Sequence, residues 1–134
     1  MRNKLFYLCL MLLFVACAKE LTPEEQALKA AQESAKTSYD HLLAGRYDQW
    51  VKGRAGLDSI SDEYRQQLEA SAAQFMAQQR KAHHGVTGFD VLRSQCDSSL
   101  HIIQVFFQVN YADSTSEEIV VPMVEVKDGI WKIK

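Results

Sequence analysis

The sequence predicts an α+β fold, with N-terminal helices (one long, one short, one long) packed on one face of a curved, mainly antiparallel sheet of about four strands. Three observations predict it. Apolar residues recur at spacings of three and four from Leu28 to about Ala82. From Phe89 onward the period changes to two, with apolar and polar residues alternating. Asp128-Gly129 then joins the last two alternating runs by a two-residue turn signal. Helices followed by a meander of strands segregate the two element types, which is the α+β pattern.

The first helix is announced by Thr22-Pro23-Glu24-Glu25. Thr22 stands as N-cap, Pro23 at the first helical position and Glu25 where a capping box needs it. Leu28, Ala31, Ala35, Tyr39 and Leu42 then give one apolar face, and Gly45 supplies the stop. Tyr47 to Val51 reads as a short second helix, ended by Gly53-Arg54-Ala55-Gly56. The third helix is expected from Ser59 or Ser61 to about Ala82, with Tyr64, Leu68, Ala72, Phe75 and Met76 along its apolar line. Arg80, Lys81, His83 and His84 crowd its last turn, where cations offset the negative helix end.

Phe89 to Cys96 is expected as the first strand and Leu100 to Tyr111 as the second. In the second, Ile103, Val105, Phe107, Val109 and Tyr111 share one face. Ala112 to Glu117 reads as a polar loop, and Ile119 to Lys127 as the third strand. The two-residue turn sets Lys127 opposite Ile130, Val126 opposite Trp131, Glu125 opposite Lys132 and Val124 opposite Ile133. That register makes Val124, Val126, Trp131 and Ile133 one apolar face. Pro122 cannot donate to a ladder, which suggests an edge or a bulge.

Ahead of the first helix, Arg2 and Lys4 precede an apolar run from Leu5 to Val15, and Ala16 precedes Cys17. The run spans about 16 Å as a helix, half of a ~30 Å hydrocarbon core, which suits a signal peptide and not a membrane span. The order resembles a bacterial lipoprotein signal peptide, which implies removal of residues 1–16 and lipid on Cys17, although a plain secretory site around Ala16-Cys17-Ala18 is the alternative. Residues 17–21 are then a short tether, reaching about 14 Å from Cys17 to Thr22, and 22–134 a single α+β domain. The expected partner is the membrane, through Cys17. The expected address is the cell envelope at the outer membrane, with the start of the first helix near the headgroups.

Removal of 16 of the 134 residues leaves 118, enough for one domain. It also takes the 15 cations to 13 against 17 anions, a formal −4, and no basic cluster of the phosphate-neutralising kind stands in the sequence. Nucleic acid is excluded as a partner on that ground. Of three cysteines, Cys9 leaves with the leader and Cys17 carries lipid. Cys96, left alone, is expected as a small buried hydrophobe.

Several local phrases carry a wider resemblance. They are Leu42-Leu43-Ala44-Gly45-Arg46-Tyr47-Asp48, Glu117-Glu118-Ile119-Val120-Val121-Pro122 and Val126-Lys127-Asp128-Gly129-Ile130-Trp131-Lys132-Ile133. With the element order, they resemble the cone-shaped, cystatin-like α+β superfamily named after nuclear transport factor two, and within it small envelope lipoproteins of unassigned function. The resemblance implies a curved sheet wrapped around the long helix with a pocket between them. Some members are isomerases or dehydratases, and many only bind or assemble.

No catalytic or metal motif is present: no His-Glu-x-x-His, no Cys-x-x-Cys, no phosphate-cradling glycine loop, no Gly-x-Ser-x-Gly. Adjacent His83 and His84 point about 100° apart on a helix and do not share a metal. A two-residue turn at Ser98-Ser99 would set Cys96 opposite His101, a geometry that activates thiols. General acid–base work would fall to Asp90, Tyr39, Tyr64 or Tyr111. Tyr39, Trp50, Phe75, Phe107 and Tyr111 are the candidates for lining a small-molecule pocket. The function expected is a lipid-anchored, non-enzymatic binding or assembly module, taking an envelope protein or a small apolar ligand and no cofactor. The alternatives are a small isomerase or dehydratase, or an inhibitor or immunity-type protein. An exposed apolar patch around Ile102, Phe106, Ile119 and Val121 would favour assembly.

Overall fold

The computed structural model describes residues 20–134; the leader, Cys17 and the first tether residues lie outside them. Three helices, α1 (Pro23–Leu43), α2 (Tyr47–Lys52) and α3 (Asp62–His83), precede four strands, β1 (Val86–Asp97), β2 (Ile102–Tyr111), β3 (Ser116–Lys127) and β4 (Ile130–Ile133). The strands form one open sheet in the order β1-β2-β3-β4, each pair antiparallel.

The helix ends follow the chemistry of their residues. Thr22 Oγ1 accepts from the Glu25 N–H at 3.2 Å while Glu25 Oε2 accepts from the Thr22 N–H at 3.2 Å, a complete capping box. Ser61 Oγ accepts from the Tyr64 N–H at 3.2 Å and starts α3. His84 (φ 64°) and Gly85 (φ 114°) end it in left-handed conformations.

The face that α1 turns to the sheet is made of Ala31, Ala35, Ser38 and Leu42, all buried. Ala31, Ala35 and Leu42 join the core cluster, and Ser38 meets Gly53. Beneath the helix, Ile103, Val105, Phe107, Val109 and Tyr111 of β2 are buried together with Phe89, Val121, Met123 and Ile133. This is the face expected for β2, and it forms the centre of the core.

The hairpin register departs from the expected one. Lys127 does pair with Ile130, but Glu125 then pairs with Trp131, Val124 with Lys132 and Met123 with Ile133. A bulge at Val126 inserts one residue, and one residue of slip sends every earlier side chain of β3 to the other face. Burial decides between the registers. The bulge sets Val121 and Met123 against Val105 and Ile103, where each is at most 2% exposed, and leaves Val126 41% exposed. Pro122 consequently sits in an interior strand. The Lys134 N–H bonds the Pro122 carbonyl at 2.9 Å, so the proline's own nitrogen also faces the side where β4 runs out, and no ladder bond to β2 is lost.

The residues considered for an outer-face apolar patch do not form one, although Val120, paired with Phe106, is exposed. Ile102 and Val121 are buried, Ile119 packs against the core, and the Arg93 guanidinium lies 4.0 Å over the Phe106 ring while bonding Glu118 Oε1 at 2.7 Å. The sheet starts and stops also shift: β3 begins at Ser116, because Ser116 and Glu117 pair with Asn110 and Val109. β2 begins only at Ile102, because residues 98–101 form the turn. The free edge of β4 is met by residues 53–55: the Ile133 N–H bonds the Gly53 carbonyl at 2.9 Å, and the Ala55 N–H bonds the Ile133 carbonyl at 2.7 Å.

Candidate functional site

Because α1 fills only part of the sheet's inner face, and α3 packs chiefly against α2, a space remains under α3. It is a cavity of about 350 Å³ walled by the second half of α1, by α2, the middle of α3 and the adjoining ends of β1, β2 and β3. Leu42, Val51, Leu68, Phe75 and Ile119 make much of its apolar wall, and Tyr39, Trp50, Arg54, Ser71, Tyr111 and Glu117 its polar groups.

Tyr39 is the centre of an aromatic cluster, with ring centroids 4.9 Å from Trp50, 4.8 Å from Phe89 and 5.0 Å from Phe107. Burial raises the pKa of its hydroxyl, and the nearby Arg54 charge pulls part of the way back. Among the described residues, neither the Tyr39 hydroxyl nor the Arg54 guanidinium has a side-chain hydrogen-bond or ion-pair partner. Nor is either sealed off: no buried side-chain nitrogen or oxygen in the described residues lacks a partner, so these two groups stay accessible.

The opposite wall carries a paired donor and acceptor. The Tyr111 hydroxyl donates to Glu117 Oε1 at 2.6 Å. Burial first, then that bond and the Glu117 and Asp113 charges, push the Tyr111 phenol up to about 12. The Tyr111 ring stacks on His83 at 4.0 Å, and His83 Nδ1 lies 2.9 Å from Asp113 Oδ2. The Thr115 hydroxyl and N–H, then His83, hold the Asp113 carboxyl down to about 2. This chain of contacts ties the last turn of α3 to the β2–β3 turn.

Val51 and Arg54 are shared with a second, smaller cleft of about 230 Å³, which Lys52, Leu57, Asp58, Arg65 and Lys132 complete. Arg65 is held by Asp62 at 3.4 Å and Lys132 by Asp58 at 3.5 Å.

Tyr39, Trp50, Phe75 and Tyr111 thus surround the cavity, while Phe107, fully buried, lies behind Tyr39 and outside the lining. Asp90 stands on the outer sheet face, where Asn110 Nδ2 donates to it at 2.7 Å, and Tyr64 is exposed on α3. Cys96 pairs with Ile103 and not with His101, because the turn takes four residues and His101 enters it at φ 53°. Cys96 is exposed, contrary to the buried role expected for it. With Ser98 and His101 it borders an open groove at the start of α1, beside Pro23, Ala27 and Trp131. Arg54 and Glu117 escaped the sequence reading. Arg54 stood in what read only as a helix-breaking phrase, and Glu117 in what read as a loop.

No family model matches the chain, and no curated protein is significantly similar to it. Among solved structures, it superposes on a crystal structure from Campylobacter jejuni described as an NTF2-like transpeptidase. The TM-score is 0.57, over 75% of this chain and 94% of that one, at 15% sequence identity. The fold is NTF2-like. At that identity the likeness concerns the NTF2-like architecture and carries no chemistry across.

Proposed function

We propose that this chain is a lipid-anchored envelope protein whose NTF2-like cavity binds a small, largely apolar molecule without transforming it. The observation that supports this most is the cavity itself, about 350 Å³ between α3 and the sheet, within the size range of small-molecule sites and lined mainly by apolar side chains. Its one carboxylate, Glu117, is engaged by Tyr111 at 2.6 Å, and its one aliphatic hydroxyl, Ser71, donates to the Gln67 carbonyl at 2.9 Å. No histidine or lysine lines it. The transpeptidase named for the Campylobacter structure would need an activated nucleophile, and the wall residues offer none. Cys96 lies in the groove near Pro23 and Ala27. Ala27 is 12 residues before Tyr39 on α1, which sets the two sites about 18 Å apart along the helix.

Anchoring rests on the lipoprotein-like leader and Cys17. Among the described residues no helix is long and apolar enough to cross a membrane. Two or more acyl chains give durable binding where one gives only reversible binding. The test is mass spectrometry of protein taken from its own envelope. The expected results are an acylated Cys17 at the mature N-terminus and a small molecule that co-purifies with the wild type and not with Ala72→Phe, which fills the cavity. An unmodified Cys17 thiol overturns the anchoring; identical extracts from the two proteins overturn the binding role.

A further inference from the structure

We infer that the ligand of the cavity is an anionic amphiphile, an apolar body ending in one carboxylate or phosphate, and that Arg54 receives the anion. The inference rests on the cavity being a binding site and adds the chemical class of what it binds. Two observations carry it. The first is an imbalance of hydrogen-bonding groups. In the cavity wall the Tyr39 hydroxyl, the Trp50 indole N–H and the Arg54 guanidinium are donors without a side-chain hydrogen bond among the described residues, whereas the acceptor, Glu117, is already bonded. Donors left open call for an acceptor, and a fixed cation calls for an anion.

The second is continuity. Arg54 and Val51 belong both to the apolar cavity and to the adjoining cleft, whose lining holds Lys52, Arg54, Arg65 and Lys132 with the Asp58 carboxylate, Asp62 pairing with Arg65 beside it. In a chain with more anions than cations, that is a local reversal of sign beside the apolar cavity. Arg65 and Lys132 have carboxylates of their own; Lys52 and Arg54 do not. A guanidinium meets a carboxylate or a phosphate through two parallel N–H bonds, which Lys52 alone could not supply. Arg54 is also held in place from behind, since residues on both sides of it bond the backbone of Ile133. An apolar body in the cavity and its charged end between Tyr39 and Arg54 give both of those donors an acceptor.

The test compares three water-soluble probes on the full-length protein purified from its envelope and held in lipid nanodiscs: phenylbutyrate, phenylbutyl phosphate and uncharged phenylbutanol. Calorimetric titration is expected to show at least one anion binding about tenfold tighter than the alcohol, the lower range for a charge-assisted bond at a half-exposed site. The preference should shrink as salt is raised. It should collapse toward one in Arg54→Gln and survive in part in Arg54→Lys, which keeps the charge. Which anion is preferred distinguishes a carboxylate from a phosphate head. Equal affinities for anion and alcohol overturn the ligand class while leaving an apolar binding site standing. An anion preference unchanged in Arg54→Gln overturns the role of Arg54, and no binding of any probe overturns the site itself.

Discussion

Gly53 gives the sharpest test of how the helices meet the end of the sheet. Its backbone is an ordinary right-handed one (φ −75°, ψ −3°), so alanine costs nothing in dihedral terms. Space is what forbids it. A Cβ built there would overlap the Ser38 Oγ, lie 3.3 Å from the Ser38 Cβ and 3.4 Å from the Trp50 carbonyl. Ser38 is 6% exposed in the centre of α1, and the Gly53 carbonyl is bonded to the Ile133 N–H at 2.9 Å, so neither side yields freely. Overpacking of this kind costs about 1–3 kcal/mol, and the reduced freedom of an unfolded alanine returns about 0.4–1 kcal/mol. Gly53→Ala is therefore expected to destabilise by about 0.5–2 kcal/mol. In urea the midpoint should fall with the slope unchanged. The decisive arm is Ser38→Ala. Removing the hydroxyl opens the space, so the double variant should be more stable than Gly53→Ala alone, with a coupling of about 1–2 kcal/mol between the two sites. Additive effects, or a Gly53→Ala protein as stable as the wild type, would refute the close packing of α1 against the segment that carries Arg54.

Other outcomes follow from the same contacts. Tyr111 should titrate near 12 by tyrosinate absorbance. Its folded pKa lies above the ordinary 10, so the stability it contributes is complete below pH 10 and is lost as pH rises toward 12. Glu117→Gln should lower that pKa but leave it above 10, because burial is the larger cause; a value at or below 10 would count against it. Phe107→Ala removes a fully buried ring behind Tyr39 and should cost about 3–5 kcal/mol in denaturant unfolding, and a loss under about 1.5 would contradict the core described. Cys96 should react with maleimide in the folded protein nearly as fast as in urea, and protection until unfolding would refute its exposure. Amide exchange should be faster in the middle of α3, where Ala72 and Met76 are its only buried residues, than in α1, and equal protection would argue against a loosely held lid.

The helices were legible because their signals are local. Thr22 and Ser61 cap within three residues of themselves, and the spacing of Ala31, Ala35 and Leu42 is a property of one helix. The β2 face was legible for the same reason, since strict alternation leaves one solution. The β3–β4 register was not. The Asp128-Gly129 turn pointed to a register in which Val124 and Val126 looked inward, and only the competing burial of Val121 and Met123 against another strand selects the bulge. The Cys96 and His101 pairing failed likewise, on a turn whose length depends on how β1 and β2 meet. Four cavity aromatics were legible as large apolar residues on inward faces. Arg54 and Glu117 were not, because each is placed by a long-range pairing, with Ile133 and with Val109, that no local pattern announces.

The position of α3 explains why a chain of this size leaves an apolar chamber unfilled. Ala72 and Met76 are its buried residues, and Phe75 stands 44% exposed at the cavity wall. The C-terminal end of the helix is tied to the β2–β3 turn by the bond from the Asp113 N–H to the His83 carbonyl and by the His83–Asp113 side-chain contact. Large side chains at those middle positions would have closed the space and gained ~25 cal/mol for each Å² of apolar surface removed from water. A helix over a cavity lined by Phe75, Leu68 and Ile119 leaves that gain to whatever enters. On the binding reading, covering the apolar wall supplies the energy with which the ligand is held, and the half-exposed Phe75 is the side chain that ligand would cover.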